Sequence, residues 1–254
     1  MTCREFEQQL GQPLCAEAGA HAAGCKACGA LSQWFDAPAS VPAIAVAVEG
    51  LKPVRSLPSP WILAAAILLA GAVVMTVGSR QMGLFGWDTL EPFQRISIFT
   101  GLAIAGAASS LLLAQQMFPT RAGRMPPQVC LAVTLTAMAA GAVALMPLEF
   151  DAADFSVFGL KCAEYGLFYS LLAAIPIWLL IRKGYFVQPG WAGALTGLVC
   201  GICATVALEL YCPLIERAHV LVWHGGVVVV AVMAAAMIAY FTARLRGHAD
   251  SRAV

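Results

Sequence analysis

Charged residues are scarce in this chain. Lys, Arg, Asp and Glu make up 11% of its 254 residues, whereas a soluble domain carries roughly 25%. Hydrophobic residues make up 60% of the chain. A water-soluble fold of this length could not bury so much apolar surface. The composition therefore excludes an ordinary soluble domain and predicts a protein whose larger part lies in a membrane.

Several signatures of other protein classes are also missing. The net charge of +1 leaves no excess of basic residues for a nucleic-acid groove, so we expect no direct contact with nucleic acid. The sequence contains no catalytic triad pattern, no phosphate-binding glycine loop and no Glu-x-x-His pair in an apolar stretch. We therefore expect a protein that is not an enzyme. The first seven residues lack the apolar core of a secretory signal peptide, so we expect an uncleaved first anchor.

Six apolar stretches are long enough to cross a bilayer, which takes about 20 residues in a helix. They predict an all-α fold with a six-helix transmembrane bundle at 60–243, a small helical zinc-finger-like head at 1–40, an amphipathic helix and linker at 41–59, and a tail at 244–254. The predicted stretches lie near Pro60–Gly78, Arg95–Ala114, Pro127–Met146, Cys162–Ile181, Trp191–Tyr211 and Val220–Phe241.

Basic residues are distributed unequally between the two sides of this predicted bundle. Eleven of the 15 Lys and Arg residues fall in the head, the linker, the even-numbered connections and the tail, which share one side of the membrane. Connections rich in Lys and Arg usually stay in the cytoplasm. The sequence therefore predicts a multi-pass protein that is surrounded by membrane lipids and has both termini in the cytoplasm.

The head carries a Cys/His pattern typical of a metal site. His21 precedes Cys25 by one helical turn, and Cys25 is separated from Cys28 by two residues. A structural Zn²⁺ ion takes four nitrogen or sulfur ligands, and cytoplasmic thiols stay reduced. Cys3 is the expected fourth ligand, with Cys15 as the alternative. The competing hypothesis is a poorly packed N-terminal segment that merely contains reduced cysteines.

The same head resembles a known bacterial family. An early Cys followed by His-x3-Cys-x2-Cys is similar to the zinc-binding anti-sigma domain, although the 17 residues between Cys3 and His21 are fewer than in that family's pattern. The resemblance implies that the head holds Zn²⁺ and binds a sigma factor. The shorter spacing keeps Cys15 open as a ligand.

The membrane part resembles a second family, the NrsF-type negative regulators of sigma F. The motifs that carry this resemblance are Leu51–Pro60, Cys162, Trp191–Gly197, Leu210–Pro213 and Trp223-His224. Together the two resemblances imply a membrane-bound anti-sigma factor in the bacterial inner membrane. The implied partner is an extracytoplasmic-function sigma factor, held by the cytoplasmic head.

Two cysteines at the predicted outer boundary of the bundle are candidates for a sensor. Cys162 opens the fourth stretch and Cys212 follows the fifth, with Glu209 and His224 at the same level. Glu164 and His219 map there as well. A soft metal ion could bind these thiols, or the thiols could form a disulfide, and either event could release the partner of the head. The alternative is that the cysteines only pack between helices.

Small residues in the fifth stretch leave further options open. Gly193, Gly197 and Gly201 recur at intervals of four, which lets another helix approach closely, either in the same chain or in a homo-oligomer. Cys200 and Cys203 have no base beside them in the sequence, so we expect them to pack in the bundle. The alternative to a regulator is a small six-span metal transporter or a membrane thiol oxidoreductase.

Overall fold

The computed structural model describes residues 2, 3, 5, 6, 16–36, 57–118, 126–148, 152–182, 184, 186 and 188–250. Its contacts divide the chain into two units, Met1–Ser56 and Leu57–Val254, which are described separately below. The described residues form helices and no β-strand, which confirms the predicted all-α class. The finer division of the first unit at residue 40 stays a prediction, because residues 37–56 lie outside the described part.

In the described part of the first unit, two short helices cover Ala16–Gly24 and Lys26–Asp36. Phe6, Ala18 and Cys28 are buried together there. A unit as short as Met1–Ser56 can bury little apolar surface, and folds of this size commonly rely on a disulfide or a metal. A metal cross-link would therefore add much to the stability of this unit.

The described part of the second unit contains six helices that are long and apolar enough to span a membrane, as the sequence predicts. These lengths are those of a multi-pass membrane protein. In chain order we number them spans 1 to 6: Pro60–Met82, Pro92–Gln116, Pro127–Leu145, Phe155–Ile181, Pro189–Tyr211 and Arg217–Leu245.

Proline and local capping explain where several spans begin. Pro60, Pro92, Pro127 and Pro189 each stand in the first turn of a span, where a missing N–H costs no helical hydrogen bond. The Ser59 hydroxyl accepts a hydrogen bond from the backbone N–H of Ile62, and Glu91 and Gln94 form a capping box. The Ser59, Glu91 and Gln94 side chains thus accept hydrogen bonds from backbone N–H groups that water would otherwise hydrate, and each proline removes one such N–H group.

One predicted boundary is wrong. The helix that contains span 4 begins at Ala152, so Cys162 lies about three turns inside it and does not open it. The sequence missed this start because charged residues, including Asp154 and Lys161, interrupt the apolar pattern there. Cys162 is consequently held by a rigid helix rather than by a loop.

Span 5 is the centre of the bundle. Its most apolar window is 83% buried, whereas no other span exceeds 33%. The glycines of span 5 face span 6, and a Cβ atom on Gly193 would lie 2.5 Å from the carbonyl oxygen of Ala235. A Cβ atom on Gly197 would collide with the carbonyl oxygen of Ala231. The small-residue stripe therefore packs within one chain, which answers a question that the sequence left open.

The two remaining cysteines of span 5 lie in the same apolar core. Cys200 and Cys203 are both buried, and the Cys203 thiol lies against Gly71 of span 1. The neighbours of both thiols in this core are apolar side chains. Their surroundings support the packing role predicted from the sequence.

Substitution of Gly197 by Ala should destabilise the bundle. The added methyl group meets backbone of span 6, which cannot rotate away, and overpacking of this kind costs about 1–3 kcal/mol. Gly101→Ala is the matched control, because a Cβ atom there meets nothing within 4 Å. Unfolding of the purified full chain in detergent measures the difference. Equal stability of the two variants would contradict this packing.

Candidate metal centres

The four residues predicted to hold a metal in the head come together in the structure. One ligand atom from each of Cys3, His21, Cys25 and Cys28 lies within 4.8 Å of the other three. The Sγ atoms of Cys3 and Cys25 are 3.8 Å apart. The group could hold a metal ion. Cys15, the alternative ligand, lies outside the described residues.

The local chain geometry of the head explains this grouping. His21 lies on the first helix, Cys25 stands between the two helices, and Cys28 lies in the first turn of the second helix. The Cys25 N–H donates to the carbonyl oxygen of His21 at 2.9 Å, and the Gly29 N–H donates to that of Cys25 at 2.8 Å. The two helices approach so closely that a Cβ atom on Gly29 would lie 2.7 Å from the carbonyl oxygen of Ala22. The His21-x3-Cys25-x2-Cys28 spacing is thus held by backbone hydrogen bonds.

The close grouping of the head ligands shifts the pKa values of two of its thiols. The backbone N–H of Cys28, together with the neighbouring thiols, lowers the pKa of Cys25 because these groups stabilise its thiolate. Burial and the sulfur atoms of Cys3 and Cys25 raise the pKa of Cys28 to about 12. The Nε2 atom of His21 is buried without a hydrogen-bond partner among the described residues. Three sulfur atoms and one imidazole fit the tetrahedral Zn²⁺ that the sequence predicts.

A second cluster lies within the bundle, and all four of its residues are buried. One ligand atom from each of Cys162, Cys212, His219 and His224 lies within 4.8 Å of the other three. The Sγ atoms of Cys162 and Cys212 are 3.3 Å apart, and the Cys212 Sγ lies 3.4 Å from the His219 Nε2. The hydrogen bond with Cys162 and burial raise the pKa of Cys212, which lies outside the spans. The structure therefore brings the two predicted sensor cysteines into contact.

Glu209 supports this cluster from the side. Its Oε1 atom lies 2.9 Å from the Nδ1 atom of His224, and both side chains are almost fully buried. The Nε2 atom of His224 has no hydrogen-bond partner among the described residues. Glu209 thus holds the ring of His224 and is not itself one of the four clustered ligands. Glu164, which the sequence grouped with these residues, is exposed and lies outside the cluster.

A π-helical turn brings the two histidines of the bundle together. His224 follows His219 by five positions, which would place the two side chains about 140° apart around an α-helix. Val220–His224 instead forms a π-helix, in which the Gly225 N–H donates to the carbonyl oxygen of Val220. Residues five apart then lie on nearly the same face, and the two imidazole centroids are 5.3 Å apart. The sequence placed His219 at the same level as His224, but α-helical periodicity does not predict that the two rings meet.

Comparison with protein families agrees with this architecture. The family model described as negative regulator of sigma F, NrsF, matches residues 47–244. The chain belongs to the NrsF family. The resemblance drawn from the membrane part of the sequence is therefore confirmed, and the protein is a negative regulator of a sigma factor. No curated protein and no solved structure is similar enough to the chain to give a match.

The NrsF match includes the residues of one cluster and not those of the other. Cys162, Cys212, Glu209 and His224 fall within the matched residues, whereas the head cluster precedes residue 47. The bundle cluster thus lies in the part of the chain that defines family membership. The head cluster depends on the Cys/His pattern and its geometry alone.

Removal of metal should loosen the head and leave the bundle intact. A unit as short as Met1–Ser56 has little apolar core to compensate for the loss of a four-ligand cross-link. We therefore expect a chelator, or Cys28→Ser, to accelerate protease cleavage within residues 1–56 of the full chain by at least about tenfold. Cys130→Ser is the control, because that buried thiol belongs to neither cluster. Cleavage at an unchanged rate after chelation would argue against a structural metal in the head.

Proposed function

We propose that this NrsF-family protein is a membrane-bound anti-sigma factor of the bacterial inner membrane. Its cytoplasmic head sequesters an extracytoplasmic-function sigma factor and releases it when a stress acts at Cys162 and Cys212. The observation that carries the proposal is the NrsF match over the whole bundle. On this account the protein acts by binding and not by catalysis.

The head supplies a surface for a sigma factor. The helix Lys26–Asp36 carries Ala30, Leu31, Trp34 and Phe35 at helical spacing. Ala30 is exposed. The amphipathic helix predicted within 41–59 carries a second apolar stripe, Val41 to Leu51, and lies outside the described residues. A unit as short as the head cannot bury both stripes in its own core, so one of them is suited to pack against a partner helix.

The charge distribution supports a cytoplasmic head. Two of the four basic residues on the predicted outer side are engaged by the protein itself. The Arg95 guanidinium lies 4.5 Å from the centre of the Trp87 ring, and its Nη2 atom donates to the carbonyl oxygen of Leu90. Arg217 donates to the carbonyl oxygen of Met146. Basic residues on that side are thus few, as expected for the side opposite the cytoplasm, and two of them serve contacts within the protein.

The position of the thiol pair supports a sensing role. Cys162 belongs to span 4, Cys212 caps the end of span 5, and their neighbours His219 and His224 begin span 6. A ligand or bond at the two sulfur atoms therefore acts on three spans at once. Such a junction can change the relative packing of helices, which is what a switch requires.

The full chain should copurify with an extracytoplasmic-function sigma factor and repress its transcription. Cys25→Ser combined with Cys28→Ser should weaken binding at least about tenfold, which equals about 1.4 kcal/mol, because the head loses two of its metal ligands. Cys130→Ser should bind normally. If no sigma factor of this class binds the intact chain, the proposal fails.

Loss of either bundle thiol should abolish inducer-driven release of the sigma factor without affecting its repression. Cys162→Ser and Cys212→Ser should keep basal repression, because the head is untouched, and should lose inducer-driven release measured with a transcriptional reporter. Cys203→Ser, another buried thiol of the same bundle, is the matched control and should respond normally. Normal induction in the Cys162→Ser and Cys212→Ser variants would remove the pair from the mechanism.

A further inference from the structure

We propose that Cys162, Cys212, His219 and His224 form a second metal site, which binds a divalent d¹⁰ cation of the Zn²⁺ and Cd²⁺ class. The site deepens the proposed function, because it names the ligand that acts on the thiol pair. Glu209 serves as a positioning residue for His224. The site lies in the bundle and is separate from the Cys/His group of the head.

The distances between ligand atoms are close to those of tetrahedral coordination. Metal–sulfur bonds of about 2.3 Å and metal–nitrogen bonds of about 2.0 Å place two sulfur ligands about 3.8 Å apart, and a sulfur and a nitrogen ligand about 3.5 Å apart, in a tetrahedron. The Cys212 Sγ and His219 Nε2 atoms are 3.4 Å apart, and the two sulfur atoms, which are 3.3 Å apart, would need to separate by about 0.5 Å. The remaining pairs fall within 4.8 Å, so modest side-chain movement closes the set around one ion.

The contact between Glu209 and His224 has the form of a metal-supporting pair. A neutral imidazole that donates its Nδ1–H to a carboxylate leaves the Nε2 lone pair free for a metal, and this arrangement is common around bound zinc. The 2.9 Å distance from Nδ1 to Oε1 and the unpartnered, buried Nε2 atom fit this arrangement. The π-turn then places the His219 ring beside the His224 ring.

The burial of these side chains favours metal binding over a disulfide between the two cysteines. Two thiolates and two neutral imidazoles balance the charge of a divalent cation, and the buried Glu209 carboxylate beside them is stabilised by its hydrogen bond with His224. A disulfide would involve only the cysteines and would give the Nε2 atom of His224 no partner. The buried Glu209–His224 pair next to the thiols is accounted for by metal coordination and not by a disulfide.

The chain offers a direct test of this site. The full chain carrying Cys25→Ser and Cys28→Ser, which disables the head cluster, is purified reduced in detergent and titrated with Cd²⁺ and Co²⁺. We expect one equivalent of either ion. Bound Co²⁺ should show the visible absorption of tetrahedral coordination and a charge-transfer band from thiolate sulfur, and Zn²⁺ should displace it.

Variants then identify the ligands. Cys162→Ser, His219→Ala and His224→Ala should each weaken binding by at least about tenfold, and Glu209→Gln should weaken it by about 10–100-fold while it keeps one equivalent and the charge-transfer band. Cys200→Ser and Cys203→Ser are matched controls, because these buried thiols lie outside the cluster. Helical content and elution volume check that each variant folds, and the conservative Glu209→Gln and Cys162→Ser variants keep the test decisive if an alanine variant does not fold.

The outcomes separate this site from the proposed function. Absence of metal uptake, uptake that the ligand variants leave unchanged, or a thiol pair that only forms a disulfide would overturn the metal site. Binding of a sigma factor is measured on the head-intact chain from a parallel preparation. Metal uptake without sigma binding would reject the proposed function alone, and sigma binding without metal uptake would reject the metal site alone.

Discussion

The close packing of span 5 against span 6 is the constraint on which the bundle depends. Gly193 and Gly197 let the two helices approach until backbone touches backbone, and spans 1 to 4 pack around span 5. Because the helices are fixed in this way, the end of span 5 brings Glu209 and Cys212 to the start of span 6. The buried thiol and imidazole cluster is therefore a consequence of how the bundle is centred.

The sequence predicted what depends on composition and short spacing. Hydropathy alone located six spans, and His21-x3-Cys25-x2-Cys28 located the head cluster, because one helical turn and one tight pair determine those distances. The contact between Cys162 and Cys212 was predicted from a shared membrane level. The start of span 4 was missed because polar residues precede Cys162. The sequence placed His219 at the level of the thiol pair, but its contact with His224 requires a π-turn, which the residue pattern does not predict.

The two Cys/His groups differ in what a metal would contribute. The head unit, Met1–Ser56, is too short to bury much apolar surface, so a metal there would supply much of the folding free energy. The bundle has an extended apolar core that includes Leu195, Leu198 and Val228, so its folding does not depend on an ion. A metal bound in the bundle is thus free to come and go without unfolding it. In the proposed function, the head site is structural and the bundle site is regulatory.

The central claim is that a cytoplasmic head holds a sigma factor and that the bundle controls its release. The most direct measurement is the binding of a labelled extracytoplasmic-function sigma factor to sealed inner-membrane vesicles that contain the full chain. The account predicts binding to inverted vesicles, none to right-side-out vesicles, and release from inverted vesicles when the inducing ion is loaded inside them. Binding to right-side-out vesicles, or binding to neither kind, would contradict the account.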